Sequence, residues 1–153
     1  MKENYKIVDG KLVTCAVVII NDAGDILGVH PNGSKKDQDY DLPKGCAEVG
    51  ELDMTAAVRE LQEETDIYIL PYEFYKLIDL GIHPHNKKKN IHLFMYKVNS
   101  FPVLEQLKCS TLCEKYGCMV PEVNGYAIIK KNERNKFLKV LQDKFELIDS
   151  YNK

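Results

Sequence analysis

The order of apolar runs predicts an α+β fold, with strands and helices mixed along one chain. Three observations carry this. Runs rich in β-formers recur between residues 5 and 29 and again between 75 and 98, while helical apolar stripes occupy 54–65 and 132–149. Turn residues, Asp-Gly and Asn-Asp-Ala-Gly among them, separate the runs. The length of 153 residues predicts one domain, 1–153, able to bury roughly 68–70% of the surface its unfolded chain exposes.

Tyr5 to Val8 and Leu12 to Ile20 predict two strands joined by Asp9-Gly10, the signal of a type I′ hairpin. A turn at Asn21–Asp25 leads into a strand at Ile26 to Val29, and the polar stretch Pro31 to Asp39 predicts an exposed loop. Met54, Ala57, Val58, Leu61 and Thr65 repeat at three and four residues, which predicts a helix ending near Thr65 with Asp53 as its cap. Strands are expected at Ile67–Leu70, Tyr75–Ile82 and Ile91–Val98, the last two joined by the basic loop His83–Asn90. Residues 101–119 fit either a short helix or an irregular crossing. Val123–Ile129 predicts a strand. Asn132–Asp149 aligns Phe137, Leu138, Leu141, Phe145 and Ile148 on one face of a closing amphipathic helix, with Asn132 as its cap.

With 44% apolar and 29% charged residues the chain lies within globular averages, away from disordered and coiled-coil compositions. A formal net charge of −2 provides no overall positive field for nucleic acid or anionic lipid. The longest apolar run, Cys15–Ile20, is far below the roughly 20 residues of a membrane span, and the first residues contain no apolar leader. Five cysteines without a secretory signal argue for reduced thiols, so a cytoplasmic protein is expected. Nineteen of the 21 basic residues are Lys, which confines planar bidentate recognition to Arg59 and Arg134.

The chemistry is concentrated in residues 42–67. Glu60, Glu63 and Glu64 fall at i, i+3 and i+4, so three carboxylates share one helix face opposite the apolar stripe and raise one another's pKa. Such a face is ordinarily solvated and paired with Lys; a divalent cation is the other way to neutralise it. Hard oxygen ligands completed by water and substrate phosphates suit Mg²⁺, and Mn²⁺ also fits. Read as spacing, the stretch is Gly45, five residues, Glu51, seven residues, then Arg59-Glu60-Leu61-Gln62-Glu63-Glu64-Thr65-Asp66-Ile67. This resembles the Nudix hydrolase family at every specified position of its box except Asp66, where the family has Gly. Asp tolerates the left-handed conformation better than most residues, so the change is read as structural.

The resemblance implies an α-β-α sandwich around a mixed sheet and a divalent-metal-dependent pyrophosphohydrolase. It implies Glu60, Glu63 and Glu64 as ligands of Mg²⁺ or Mn²⁺, with the Lys44 carbonyl as a further ligand, and a Glu of the box as activator of the attacking water. Glu51 is implied as the partner of Arg59 that orients those ligands. Glu122 and Glu48, outside the conserved carboxylate positions of the box, are alternative bases. The expected substrate is a nucleoside diphosphate linked to another moiety, with a dinucleoside polyphosphate or a capped 5′ end preferred. ADP-ribose or FAD is the alternative, and a catalytically silent nucleotide sensor is the rival of another class. Partners would be a small nucleotide or polyphosphate, or capped RNA, with no membrane and with monomer or homodimer left open.

Substrate contacts must be argued singly. Lys44 either touches a phosphate or is solvated beside a turn. Lys87 and Lys88, in the His83–Asn90 loop, either guide polyphosphate or form a solvated tip, as do Lys35 and Lys36. For base stacking the aromatic candidates are Tyr40, Tyr72, Phe74, Tyr96 and Tyr126, of which Tyr40 lies nearest the box. Cys109, Cys113 and Cys118 are spaced loosely like a metal knuckle but lack an evident fourth ligand, so free or buried thiols are expected.

Overall fold

A computed structural model describes residues 4–153. Its nine strands, among the described residues, are β1 (Ile7–Val8), β2 (Lys11–Ile20), β3 (Ile26–Pro31), β4 (Lys44–Cys46), β5 (Ile78–Pro84), β6 (Lys89–Lys97), β7 (Leu112–Lys115), β8 (Cys118–Pro121) and β9 (Val123–Ile129). The helices are α1 (Asp53–Thr65) and α2 (Phe145–Tyr151). Seven strands form a mixed sheet in the order β5-β6-β2-β3-β9, with β1 and β4 also on β2, while β7 and β8 form a separate hairpin.

Strand β2 organises this sheet. Along one edge it pairs in parallel with β6 from Leu12 to Ile20. Its other edge is shared: β1 takes Lys11 and Leu12, β4 takes Thr14 to Ala16, and β3 takes Ile20. The Asp9-Gly10 turn has φ of 52° and 79°, the two positive angles that a type I′ hairpin requires.

Both faces of the sheet are covered. Val13, Val17, Ile19 and Phe94 pack against Ala57, Val58 and Leu61 of α1, and Ala16, Val18, Leu93 and Met95 pack against Phe137, Leu141, Phe145 and Ile148 from the C-terminal segment. This is why β2 reads as a continuous apolar run. The expected α-β-α layering is present.

Several local expectations are corrected. The closing helix is confined to Phe145–Tyr151, and residues 131–136 and 139–144 form 3-10 turns. The break has a visible cause: Tyr40 N–H donates to the Lys136 carbonyl at 2.9 Å and Leu138 N–H to the Tyr40 carbonyl at 2.8 Å, so Phe137 is extended and cannot continue a helix. Asn132 lies inside the first of those turns and caps nothing. Residues 67–70 alternate in burial as a strand would but find no ladder partner, and 71–76 form a 3-10 turn, so the following strand starts at Ile78. Asp53 is the first residue of α1 rather than its cap, and Leu52 takes the cap position without a side-chain bond. The Asp53 carboxylate instead accepts from His92 at 2.7 Å, and His92 also bonds Asp79 at 2.7 Å, which fastens the start of α1 to β5 and β6.

The open stretch 101–119 resolves into a short 3-10 turn, Leu104–Gln106, the strand β7, the turn that follows it and the start of β8. Cys109, Cys113 and Cys118 are all free thiols. No helix is long and apolar enough to cross a membrane.

Candidate active site

The divided edge of β2 opens a cleft of about 510 Å³. Val29 and Asp41 exchange two backbone hydrogen bonds of 2.8 Å, so the chain leaving the 32–39 loop runs beside β3 before it joins β2 as β4. One wall of the cleft is Asp41 to Cys46, another is the carboxylate side of α1, and Glu122 with Val123 comes from the start of β9. Thr14 and Lys89 also line it.

Gly45 explains how α1 comes so close. A Cβ built there would overlap the Glu60 carboxyl group, so only glycine leaves room for that side chain against β4. Lys44 N–H donates to Glu64 Oε1 at 3.2 Å, a second tie between β4 and α1.

Arg59 binds the carboxylates into one lattice. Its Nε and Nη2 reach the two Glu51 oxygens at 2.7 and 2.9 Å, a bidentate pair. Nη1 donates to Glu60 at 2.8 Å and more weakly to Glu63 at 3.3–3.4 Å, and Nη2 donates to the Cys46 carbonyl at 3.2 Å. Glu48 is half exposed, 3.9 Å from Nη2. Hydrogen bonding to Arg59 holds the Glu51 carboxyl below its ordinary pKa, and Glu51 in turn raises that of Arg59.

The helix carboxylates behave differently. Burial, reinforced by the neighbouring Glu63 charge, pushes Glu60 up to about 7. Burial and then the Glu60 charge push Glu64 up to about 8. Glu64 is only 8% exposed, so the expected open acidic face is partly inside the protein. Tyr126 donates its hydroxyl to the Glu64 backbone carbonyl and so ties β9 to the end of α1. Burial works against the Lys44 ammonium, but Asp41 at 3.1 Å outweighs it and raises the Lys44 pKa.

This donor set fits a divalent cation by its chemistry. Two carboxyls driven towards protonation by burial and mutual repulsion would be relieved by a hard cation, and all the groups offered are oxygens. Glu60 and Glu63 are both held on this side of α1 by their bonds to Arg59.

The structure thus gathers Lys44, Glu48, Arg59, Glu60, Glu63, Glu64 and Glu122 around one cleft, with Glu51 behind Arg59. Other candidates lie elsewhere. Tyr40 is 7% exposed, packed edge-on against His30, and borders a different depression. Lys87 and Lys88 are exposed at the tip between β5 and β6; it is Lys89, the first residue of β6, that lines the cleft. Tyr96, Phe74 and Tyr126 pack in the core beside α1, and Tyr72 is exposed on the 3-10 turn. The aromatic side chain on the cleft, among the described residues, is Tyr5, which sequence reading passed over. Asp66 has φ 66° and ψ 17° and donates its N–H to the Gln62 carbonyl at 2.8 Å, so it ends α1 in the left-handed conformation expected of the family Gly.

Partly buried carboxylates on α1, braced by one arginine, thus share one cleft with Lys44 and Lys89. A family model described as the NUDIX domain matches residues 10–116, most of the chain, and the protein belongs to that family as a Nudix pyrophosphohydrolase. Solved structures share the fold. The NUDIX hydrolase from Nitrosomonas europaea superposes with a TM-score of 0.64 at 21% identity, covering 94% of this chain and 91% of that one. A C. elegans Ap4A hydrolase binary complex gives 0.62 at 16% identity over 90% of this chain and 94% of its own. The NUDIX domain of Shewanella oneidensis NrtR, complexed with ADP ribose, gives 0.64 at 13% identity over 97% and 94%. At these identities the likeness is one of fold.

Proposed function

We propose that residues 1–153 act as one catalytic domain that hydrolyses a phosphoanhydride bond in a nucleoside diphosphate linked to another moiety, a dinucleoside polyphosphate or capped 5′ end above all. The observation that carries this is the pairing of half-buried Glu60 and buried Glu64, both with raised pKa, with two lysines, Lys44 and Lys89, in one cleft. Two ammonium groups beside a carboxylate wall suit a chain of several phosphates better than a single one. The Ap4A hydrolase among the structural neighbours is consistent with that preference.

Glu60, Glu63 and Glu64, with the Lys44 carbonyl, would hold Mg²⁺ or Mn²⁺. Such an ion neutralises phosphate charge and makes water a stronger nucleophile near neutral pH. Arg59, fixed by Glu51, orients Glu60 and Glu63. Lys44 and Lys89 bind the phosphate oxygens. Glu122, across the cleft from α1, takes the proton of the attacking water; Glu48 is the less suited base because it is turned to Arg59. The water oxygen forms the new P–O bond, and the bridging P–O bond breaks with its electron pair leaving on the departing phosphate.

The test is product release from diadenosine polyphosphates, capped RNA, ADP-ribose, FAD and nucleoside triphosphates with Mg²⁺, Mn²⁺ or EDTA. Metal-dependent cleavage led by a diadenosine polyphosphate or capped RNA supports the reading. Dominance of ADP-ribose moves the substrate to the second class, the ligand seen on the NrtR domain. Nucleotide binding without cleavage makes the protein a sensor.

A further inference from the structure

The carboxylate cleft has a neighbour. A shallower depression of about 330 Å³ is lined by Asn4, Tyr5, Glu48 and Val49, and Tyr5 and Glu48 line the carboxylate cleft as well, so the two spaces meet along this pair. The segment is firmly seated. Tyr5 forms a β-bridge with Glu48, Lys6 N–H donates to the Ala47 carbonyl at 2.8 Å and Val49 N–H to the Asn4 carbonyl at 2.8 Å. A partly exposed aromatic ring is thereby held on a fixed backbone at the junction.

From this placement we infer that Tyr5 is the platform on which the nucleobase of the substrate stacks, with the nucleoside in the depression beside Glu48 and its phosphates in the carboxylate cleft. A ring on a rigid support loses little freedom when a base settles on it, and stacking is tolerant of base identity. The Glu48 carboxylate, on the same side of the bridge, can accept from a ring N–H or an exocyclic amine and so favours bases that carry one. Each aromatic side chain proposed from sequence is placed elsewhere, in the core, at another depression or on an outer turn. The direction of binding follows from the geometry, since the lysines and the helix carboxylates lie on the cleft side of Tyr5. This rests on the pyrophosphohydrolase reading for the identity of the phosphate site, and it is tested without turnover.

The experiment is calorimetric titration of the full chain, with Mg²⁺ present, by AMP and by ribose 5-phosphate, which lacks the base. Tyr5→Leu keeps apolar bulk and removes the ring; Tyr5→Phe keeps the ring. The expected result is that Tyr5→Leu weakens AMP about 10-fold or more, on the scale of base–aromatic stacking, leaves ribose 5-phosphate unchanged, and that Tyr5→Phe binds AMP as the natural protein does. Equal weakening of both ligands would show a scaffold role and overturn the inference, as would unaltered AMP binding in Tyr5→Leu or no AMP binding to the natural protein. A chain that binds AMP through Tyr5 yet cleaves nothing would refute the hydrolase reading and leave the platform standing.

Discussion

Replacing Glu64 by Gln should raise stability and abolish turnover, two opposite effects from one buried carboxyl. In the folded protein burial and the Glu60 charge hold Glu64 at about 8, against 4.5 for a free side chain. The folded state therefore binds more protons than the unfolded state between those values, so Glu64 contributes stability fully below pH 4.5 that is lost as pH rises through 8. From about pH 5.5 to about pH 7.5 this group removes roughly 2–3 kcal/mol of stability, which for a chain of this size is a fall of roughly 5–10 °C in Tm. Gln cannot ionise, and its side-chain oxygen can still accept from Lys44 N–H. The assay is thermal unfolding in EDTA across that range for both proteins, followed by the same scans in Mg²⁺. The variant should show the shallower decline, with a smaller gain from Mg²⁺ and cleavage lost by several orders of magnitude. Superimposable pH profiles would refute the reasoning, because they would mean that Glu64 ionises in the fold at no cost.

Three further changes test the surroundings. Asp66→Gly relieves a left-handed residue at the end of α1, and urea unfolding should show a gain of about 0.5–1 kcal/mol with activity unchanged; a loss would mean that the 3.9 Å Lys108 pair matters more than the backbone. Gly45→Ala places a methyl where the Glu60 carboxyl lies, so Mg²⁺ titration should reveal roughly 10-fold weaker binding or worse while circular dichroism stays native. Arg59→Lys keeps the charge but loses the bidentate bond to Glu51, and kcat/KM should fall roughly 10- to 100-fold with KM little changed; retained activity would show that charge alone orients the carboxylates.

Much of the site was legible because it is local. The spacing of Glu60, Glu63 and Glu64 follows from a helix that periodicity identifies, while the reach of Arg59 to Glu51 and the left-handed Asp66 were implied by the resemblance to the Nudix box. What was lost depended on pairing between distant segments. Which of Lys87, Lys88 and Lys89 enters the cleft is decided by where β6 starts against Leu12 of β2, and a one-residue shift would have turned a different side chain inward. Tyr5 became visible only through its bridge to Glu48, 43 positions later. The closing helix was expected from a sound apolar pattern, and its residues are buried as that pattern required, but two backbone bonds from Tyr40 took the segment out of helical geometry. Glu64 was placed on the open face because helical spacing says nothing of what lies above it.

The sharing of one edge of β2 among β1, β4 and β3 has a bearing on how such a catalyst diversifies. Each short strand is anchored by only a few pairs, whereas the opposite edge is sealed by the long ladder to β6. Insertions in the segments between those anchors alter the rim of the cleft without disturbing that ladder or the helix that bears the carboxylates. Tolerance to change is therefore expected in the loops between these anchors, away from the long ladder to β6.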